Sequence, residues 1–349
     1  MRKKYDRMSV ANYSTQKQTV HKGKDCPMSI TIVLQQMIMI FILIGIGMLL
    51  YKKQMLSEAT SKQISGIIVN VTNPALLICS AFGEGPKVSI QALASVFAIF
   101  ILVYAVLIAV SFLIPRILRV PNHYHYSYQM LTVFGNVGFI GIPLASAVLG
   151  TQSLIFVSIY NLIFNIVIYT FGISLLQKAA ARQSSATGEN QPKISDTNVT
   201  SSHWKKLINA GTISAAATII FYLADFPVPT IVPSTLTYMG QSTTLLSMIV
   251  LGATVAQMAL RDIFSHPKLY GFILLRQILV PLGCVLLFRP FISNTLVLNT
   301  LALMLAVPAG NMSLMLSKQL HVEADTISQG IILTTLLSLV TIPIVSLIL

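Results

Sequence analysis

The sequence has little charge and few cysteines. Lys, Arg, Asp and Glu make up 9% of the 349 residues, whereas a soluble domain has about 25%, so a water-exposed globular fold is excluded. The three cysteines, Cys26, Cys79 and Cys284, lie too far apart in sequence to indicate a disulfide framework or a metal cluster. No Walker loop, Rossmann fingerprint, nucleophile elbow or zinc-helix motif occurs. We therefore expect no metal, no cofactor and no enzymatic activity.

The charge that is present is mostly basic. There are 23 Lys and Arg against 10 Asp and Glu, which gives a formal net charge of +13. Such an excess can indicate a nucleic-acid partner, but here the basic residues lie at the ends of apolar runs, where cytoplasmic loops of membrane proteins collect Lys and Arg. We expect a multi-pass protein of the plasma membrane, with the lipid bilayer as a partner and no nucleic acid.

Apolar residues account for 54% of the chain and fall into ten runs, each near the ~20 residues that cross a bilayer as a helix. The runs are 30–51, 56–82, 89–114, 125–149, 152–177, 205–224, 230–260, 268–291, 295–317 and 325–349. The sequence predicts an all-α membrane protein with a polar basic tail at 1–28, five helices in 29–177, a flexible cytoplasmic linker at 178–204 and five helices in 205–349.

The loops differ in basic residues. Thirteen Lys and Arg lie in loops on one side of the predicted membrane, whereas Lys87 and Arg289 lie on the other. This bias places the loops after odd-numbered helices in the cytoplasm and both termini outside. The tail contradicts the orientation, because its seven Lys and Arg would have to cross the membrane. Either translation starts at Met28, or a short tail is translocated despite its charge.

Two five-helix halves must be inserted in opposite orientations if they are homologous. Inverted repeats of this kind are characteristic of secondary transporters, and Gly/Pro-interrupted spans at matching positions mark their substrate sites. Predicted helices 4 and 9 are both fourth in their halves, and each has Gly, Asn and a proline, Pro143 or Pro308, near its middle. The sequence therefore predicts a substrate site where these two helices cross.

The two prolines are expected to break their helices, because proline has no amide hydrogen and clashes with the preceding turn. Free backbone groups are tolerated at membrane depth only inside protein or beside a water-filled cavity, so we expect the two breaks to face each other. The positive N-terminal ends of the following half-helices would suit an anion. Asn136 and Asn311 would donate hydrogen bonds to a carboxylate. The alternative is that each proline only kinks a helix and each asparagine joins neighbouring helices.

Further candidates accompany the two breaks. Asn73 directly precedes Pro74 on helix 2, and Asn161 and Asn165 lie one turn apart on helix 5. These amides face either the cavity or another helix. Arg276 is the one charge well inside a span and has either an electrostatic role towards an anion or a role in snorkelling or capping broken-helix carbonyls. The predicted substrate-binding residues are Asn136, Gly141, Pro143, Asn161, Asn165, Pro308, Gly310 and Asn311.

These residues resemble the auxin efflux carrier family, which includes the plant PIN carriers and prokaryotic malate permease-like proteins. The resemblance covers about 29–349, and its most specific part is Phe134-Gly-Asn-Val-Gly-Phe-Ile-Gly-Ile-Pro-Leu144, with Val307-Pro-Ala-Gly-Asn311 in the second half. It implies ten helices in two inverted repeats, with helices 4 and 9 crossing at Pro143 and Pro308 and Asn136 as the helix 4 asparagine. It also implies a scaffold of helices 1, 2, 6 and 7, and a transport unit that moves like an elevator.

The leading prediction is a secondary carrier that moves a small organic anion, a carboxylate such as malate. One alternative is a cation/proton antiporter of related ten-helix architecture, which needs membrane-embedded carboxylates. We expect none of the ten Asp and Glu to lie near the crossover. The other alternative is a membrane sensor that binds its ligand without moving it. For the assembly of the protein, the alternatives include a homodimer.

Overall fold

The computed structural model describes residues 30–82, 88–187, 208–224, 228–257, 267–320, 322 and 324–348. The predicted tail and most of the predicted linker lie outside the described residues. Within them the chain is helical, and the one bridge between extended segments joins Gly135 to Ala309. Helices are the expected form of a chain in lipid, because they satisfy the hydrogen bonds of their own backbone.

We number the helices α1 to α10 in chain order and divide the interrupted ones into segments a and b. They are α1 (Ile30–Lys52), α2 (Glu58–Phe82), α3 (Ile90–Ile117), α4a (His125–Val133), α4b (Val137–Leu149), α5 (Thr151–Ala180, with helical backbone continuing to Thr187), α6 (Ala210–Ala224), α7 (Ile231–Ala256), α8 (Pro267–Phe291), α9a (Thr295–Ala306), α9b (Asn311–Gln319) and α10 (Asp325–Ile348).

Seven of the described helices are long and apolar enough to cross a membrane, namely α1, α2, α3, α5, α7, α8 and α10. The apolar helices α4b, α6 and α9a are shorter. The prediction of an all-helical, multi-pass membrane protein is thus confirmed for the part of the chain that the structure describes. Helix α5 extends into the predicted linker as far as Thr187.

Helix 4 does not break at Pro143, and that part of the prediction is wrong. Its interruption lies at residues 134–136, ahead of a π-helical turn at Val137–Gly141 that leads directly into the α-helical turns around Pro143. The wider π-turn accommodates a proline that has no amide hydrogen to donate. Helix 9, in contrast, is interrupted at Val307–Gly310, as the sequence predicts from Pro308.

Helices α1 and α7 pack with their backbones in direct contact. A Cβ atom on Gly47 would overlap the carbonyl oxygen of Ile249, and one on Gly252 would overlap that of Ile44. Small residues allow this close approach between membrane helices. Helix α7 also packs against α2, where a Cβ atom on Gly240 would lie 2.9 Å from the Cα atom of Leu76. These contacts join α1, α2 and α7, and α6 packs beside α2.

Candidate functional site

The interruptions of helices 4 and 9 meet each other in the interior of the protein. The amide of Asn136 donates a hydrogen bond to the carbonyl oxygen of Pro308 at 2.7 Å, and the amide of Gly310 donates to that of Phe134 at 2.9 Å. The two extended segments are antiparallel. Backbone groups that the helices leave free are thereby paired inside protein, which is where a membrane protein tolerates irregular backbone. We call this pairing the crossover.

Glycine is required on one side of the crossover. A Cβ atom on Gly310 would lie 2.7 Å from the carbonyl oxygen of Gly135, which is closer than a carbon and an oxygen can pack. Gly141 has a different neighbour, because a Cβ there would meet the side chain of Met304 at 3.3 Å. Gly310 therefore keeps the two backbones together, whereas Gly141 brings α4b close to α9a.

A cavity of about 440 Å³ opens beside the crossover. Parts of α2, α4b, α5, α7 and α9b line it, together with the start of α6. It extends from Gly135 and Gly310 at the crossover to Glu58 and Lys62 in the first turns of α2, where both side chains are exposed. The crossover thus forms one end of a cavity whose other end is lined by solvent-accessible residues.

Asn136 has one of its two side-chain polar atoms free at the cavity. Its Oδ1 accepts a hydrogen bond from the amide of Phe139 at 3.2 Å and so caps α4b. Its Nδ2 is buried and has no hydrogen-bond partner among the described residues, although Asn136 lines the cavity. A buried donor without an acceptor costs about 1–3 kcal/mol, so a ligand with an acceptor oxygen would be favoured at this point.

Asn311 is the first residue of α9b and also lines the cavity. The residue before it is Gly310, so no side chain caps the first amides of this helix, which have no acceptor within the helix itself. The side-chain Oδ1 of Asn311 is buried and has no hydrogen-bond partner in the part of the chain that the structure describes. Since an amide can present either its oxygen or its nitrogen by rotating, this side chain can donate to a ligand. The uncapped N-terminus carries partial positive charge.

A third unsatisfied amide belongs to Asn73 on α2. Its Nδ2 donates to the carbonyl oxygen of Gly138 at 3.0 Å, while its Oδ1 is buried and no described residue donates to it. Asn73 lines the same cavity as Asn136 and Asn311. The sequence analysis allowed for a buried amide at this point, because a polar residue precedes Pro74 in an apolar run, but it did not count Asn73 among the substrate-binding residues.

Asn161 and Asn165 line the cavity but are engaged with neighbouring groups. Asn161 donates to the carbonyl oxygen of Gly211 at 3.2 Å, and Asn165 donates to the backbone oxygen of Asn161 at 2.7 Å. The Nδ2 of Asn209 donates to the Oδ1 of Asn165 at 3.3 Å. These hydrogen bonds join α5 to the start of α6 at the wall of the cavity, so the two asparagines both line the cavity and contact a neighbouring helix.

The remaining predicted residues lie behind the cavity wall. Pro143, Pro308 and Gly141 are not among the lining residues, and neither is Arg276. Arg276 is 1% exposed, and its Nη1 donates to the carbonyl oxygen of Leu305 at 2.6 Å. It caps a carbonyl of the broken helix 9, one of the two roles predicted for it, and its burial excludes snorkelling.

Sequence reasoning missed the residues at the far end of the cavity. Glu58, Lys62, Asn209 and Gln257 all line it, and each stands at a helix end that no motif distinguishes. Glu58 matters most, because it is an acidic residue in contact with the cavity that contains the crossover. Among the described residues, the other acidic one is Asp325 at the start of α10.

Apolar helices of membrane-spanning length line a mostly apolar cavity that has asparagine side chains at the crossover, an arrangement that defines the class of multi-pass membrane proteins. A protein-family model described as a membrane transport protein matches residues 32–346. The chain therefore belongs to this family of membrane transporters, the auxin efflux carrier family that its motifs resemble. No curated protein matches the chain at a significant level. Membership in a transporter family agrees with the expectation that the chain is not an enzyme.

Proposed function

We propose that the protein is a secondary transporter of a small organic anion, a carboxylate such as malate, which binds in the cavity at the crossover. The observation that carries this proposal is the free, buried Nδ2 of Asn136, which lines the same cavity as the uncapped first turn of α9b. Both features supply hydrogen-bond donors and partial positive charge, and carboxylate oxygens accept from such donors.

The proposed architecture has ten membrane crossings in two inverted repeats of five. In it, α4a with α4b forms the fourth crossing and α9a with α9b the ninth. The antiparallel pairing of Gly135 with Ala309 supports it, because two equivalent breaks related by a two-fold axis in the membrane plane would meet in this way. The backbone contacts between α1 and α7 support a rigid scaffold of α1, α2, α6 and α7, against which the other helices move as an elevator.

We propose that the cavity opens towards the cytoplasm and that both termini lie outside the plasma membrane. The loop between α1 and α2 is basic, and Lys62 lines the cavity near the same end of α2. In a background without native cysteines, Lys53→Cys should resist an impermeant thiol reagent added to intact cells. Ser293→Cys, in the loop that follows α8 and lies outside in this proposal, should react. The reverse labelling pattern would contradict the orientation.

We propose that the anion moves alone, driven by its gradient and by the membrane potential. Coupling to H⁺ or Na⁺ in an antiporter needs a carboxylate within the membrane. Glu58 is the described acidic residue that lines the cavity, and it lies exposed in the first turn of α2 rather than at the crossover. The antiporter is therefore the second candidate, and Glu58 is the residue on which it depends.

Counterflow in proteoliposomes tests the substrate class. Vesicles loaded with an unlabelled acid should take up a trace of the same labelled acid, and mono- and dicarboxylates can be compared in one series. We expect saturable exchange for at least one carboxylate and none for the corresponding neutral amides. Exchange of amides as fast as of acids would contradict the proposal. Ligand binding without any exchange would instead favour a sensor.

A further inference from the structure

Arg276 is a buried cation that pairs with neither of the two described acidic residues, Glu58 and Asp325. It is 1% exposed, and it lies in the π-helical turn Leu274–Leu279 of α8. In the part of the chain that the structure describes, no carboxylate forms an ion pair with it, and the one hydrogen bond of its guanidinium is to the Leu305 carbonyl. Charges inside a membrane protein are costly and usually functional, so the absence of a counter-charge needs an explanation.

The end of α9a compensates only part of this charge. Leu305 belongs to the last turn of α9a, where aligned peptide dipoles amount to about half a negative elementary charge. The Nε of Arg276 is buried and has no hydrogen-bond partner within the described ranges. The full positive charge of Arg276 is therefore only half neutralised by the end of α9a, and a net positive potential remains around it. This potential is stronger inside protein than in water.

That potential acts on the cavity through the crossover backbone. A Cβ atom on Gly135 would lie 3.4 Å from the Nη2 of Arg276, and Gly135 lines the cavity. The guanidinium therefore stands directly behind the crossover, with one backbone segment between it and the cavity. It can attract an anion electrostatically without contacting it.

The neighbouring residue, Gln277, is uncharged and also holds the region around the break, so it serves as a comparison. The Nε2 of Gln277 donates to the backbone oxygen of Thr334 on α10 at 2.9 Å. The hydroxyl of Thr334 in turn accepts the amide of Ala309 at 3.2 Å. Arg276 and Gln277 thus brace the two sides of the break in helix 9, but only Arg276 carries charge.

We propose that Arg276 is a positioning residue that supplies the fixed positive charge by which the crossover cavity prefers an ionised carboxylate to a neutral molecule. This inference rests on the proposed function. A unit charge about 10 Å from a bound anion, at an effective dielectric constant near 20, corresponds to roughly tenfold in affinity. If Arg276 only held helix 9 in place, its replacement would change the affinity for acids and for neutral analogues equally.

The test compares acids with their amides on purified protein. Malate with malamide and butyrate with butyramide are titrated against wild type, Arg276→Gln, Arg276→Lys and Gln277→Leu, and melting temperatures are recorded in parallel. We expect Arg276→Gln to lower the affinity for the acid about tenfold while that for the amide is unchanged. Arg276→Lys keeps the charge and should keep the preference. Gln277→Leu should melt earlier with the preference intact.

The outcomes separate the two proposals. An acid-to-amide ratio in Arg276→Gln equal to that of wild type, where wild type binds the acid, overturns the role of Arg276 alone. Loss of the preference in Arg276→Lys overturns it as well, and this variant decides the matter if Arg276→Gln does not fold. Wild-type protein that binds neither acid in any titration contradicts the proposed function and the inference together.

Discussion

Asn136→Asp should abolish carboxylate binding in a protein that still folds. The aspartate retains an oxygen that can accept the amide of Phe139, so the cap of α4b is kept. The free Nδ2 donor, however, is replaced by an anionic oxygen. The lost hydrogen bond to an ionised group is worth about 1.5–3 kcal/mol, and juxtaposed like charges cost several kcal/mol more. We expect at least ~100-fold weaker binding in substrate titrations.

Asn311→Ala provides a matched comparison at the other half-helix. Its side chain caps nothing in α9b, so its removal should weaken binding by roughly 10- to 150-fold with little change in melting temperature. If the asparagines only join helices, both variants should lose thermal stability and keep wild-type affinity. That pattern would end the hypothesis of a binding site at the crossover.

Gly310→Ala should disrupt the crossover itself. The added Cβ would lie 2.7 Å from the carbonyl oxygen of Gly135, so the two backbones must separate and the hydrogen bond from the Gly310 amide to Phe134 must lengthen. Forcing a methyl group into a packed interior costs about 1–3 kcal/mol. We expect a lower melting temperature and transport close to background in proteoliposomes.

Gly283→Ala in α8 is the control for this substitution. Nothing lies within 4 Å of a Cβ placed there, and alanine favours helix over glycine by up to about 1 kcal/mol. This variant should therefore express, melt and transport at least as well as wild type. Wild-type transport in Gly310→Ala would show that the close approach of the two backbones is not needed for function.

The sequence predicted the helices well because their signal is local. Long apolar runs with basic ends define spanning segments without knowledge of their neighbours, and Pro308 marks the interruption of helix 9 correctly. The interruption of helix 4 could not be placed from Pro143. It depends on hydrogen bonds to the backbone of Pro308 and Gly310, far away in sequence, and the π-turn absorbs the proline.

The candidate site was only partly predictable for the same reason. Asn136 and Asn311 stand out because polar residues in apolar runs are few, and both line the cavity. The hydrogen bond that Asn165 accepts comes from Asn209, which precedes α6 and contacts α5 only in the folded chain. Glu58 and Lys62 lie at a helix end, where charged residues are ordinary, so no local pattern distinguishes them as cavity residues.

The most direct test of an anion moving alone through the crossover cavity is uptake under an imposed membrane potential. Each elementary charge crossing 100 mV is worth about 2.3 kcal/mol, so a monovalent carboxylate should accumulate up to ~50-fold in proteoliposomes held 100 mV positive inside. Wild type and Glu58→Gln should accumulate it alike, and Asn136→Asp should not. Uptake that ignores the potential, follows an imposed pH or Na⁺ gradient and is lost in Glu58→Gln would contradict the account.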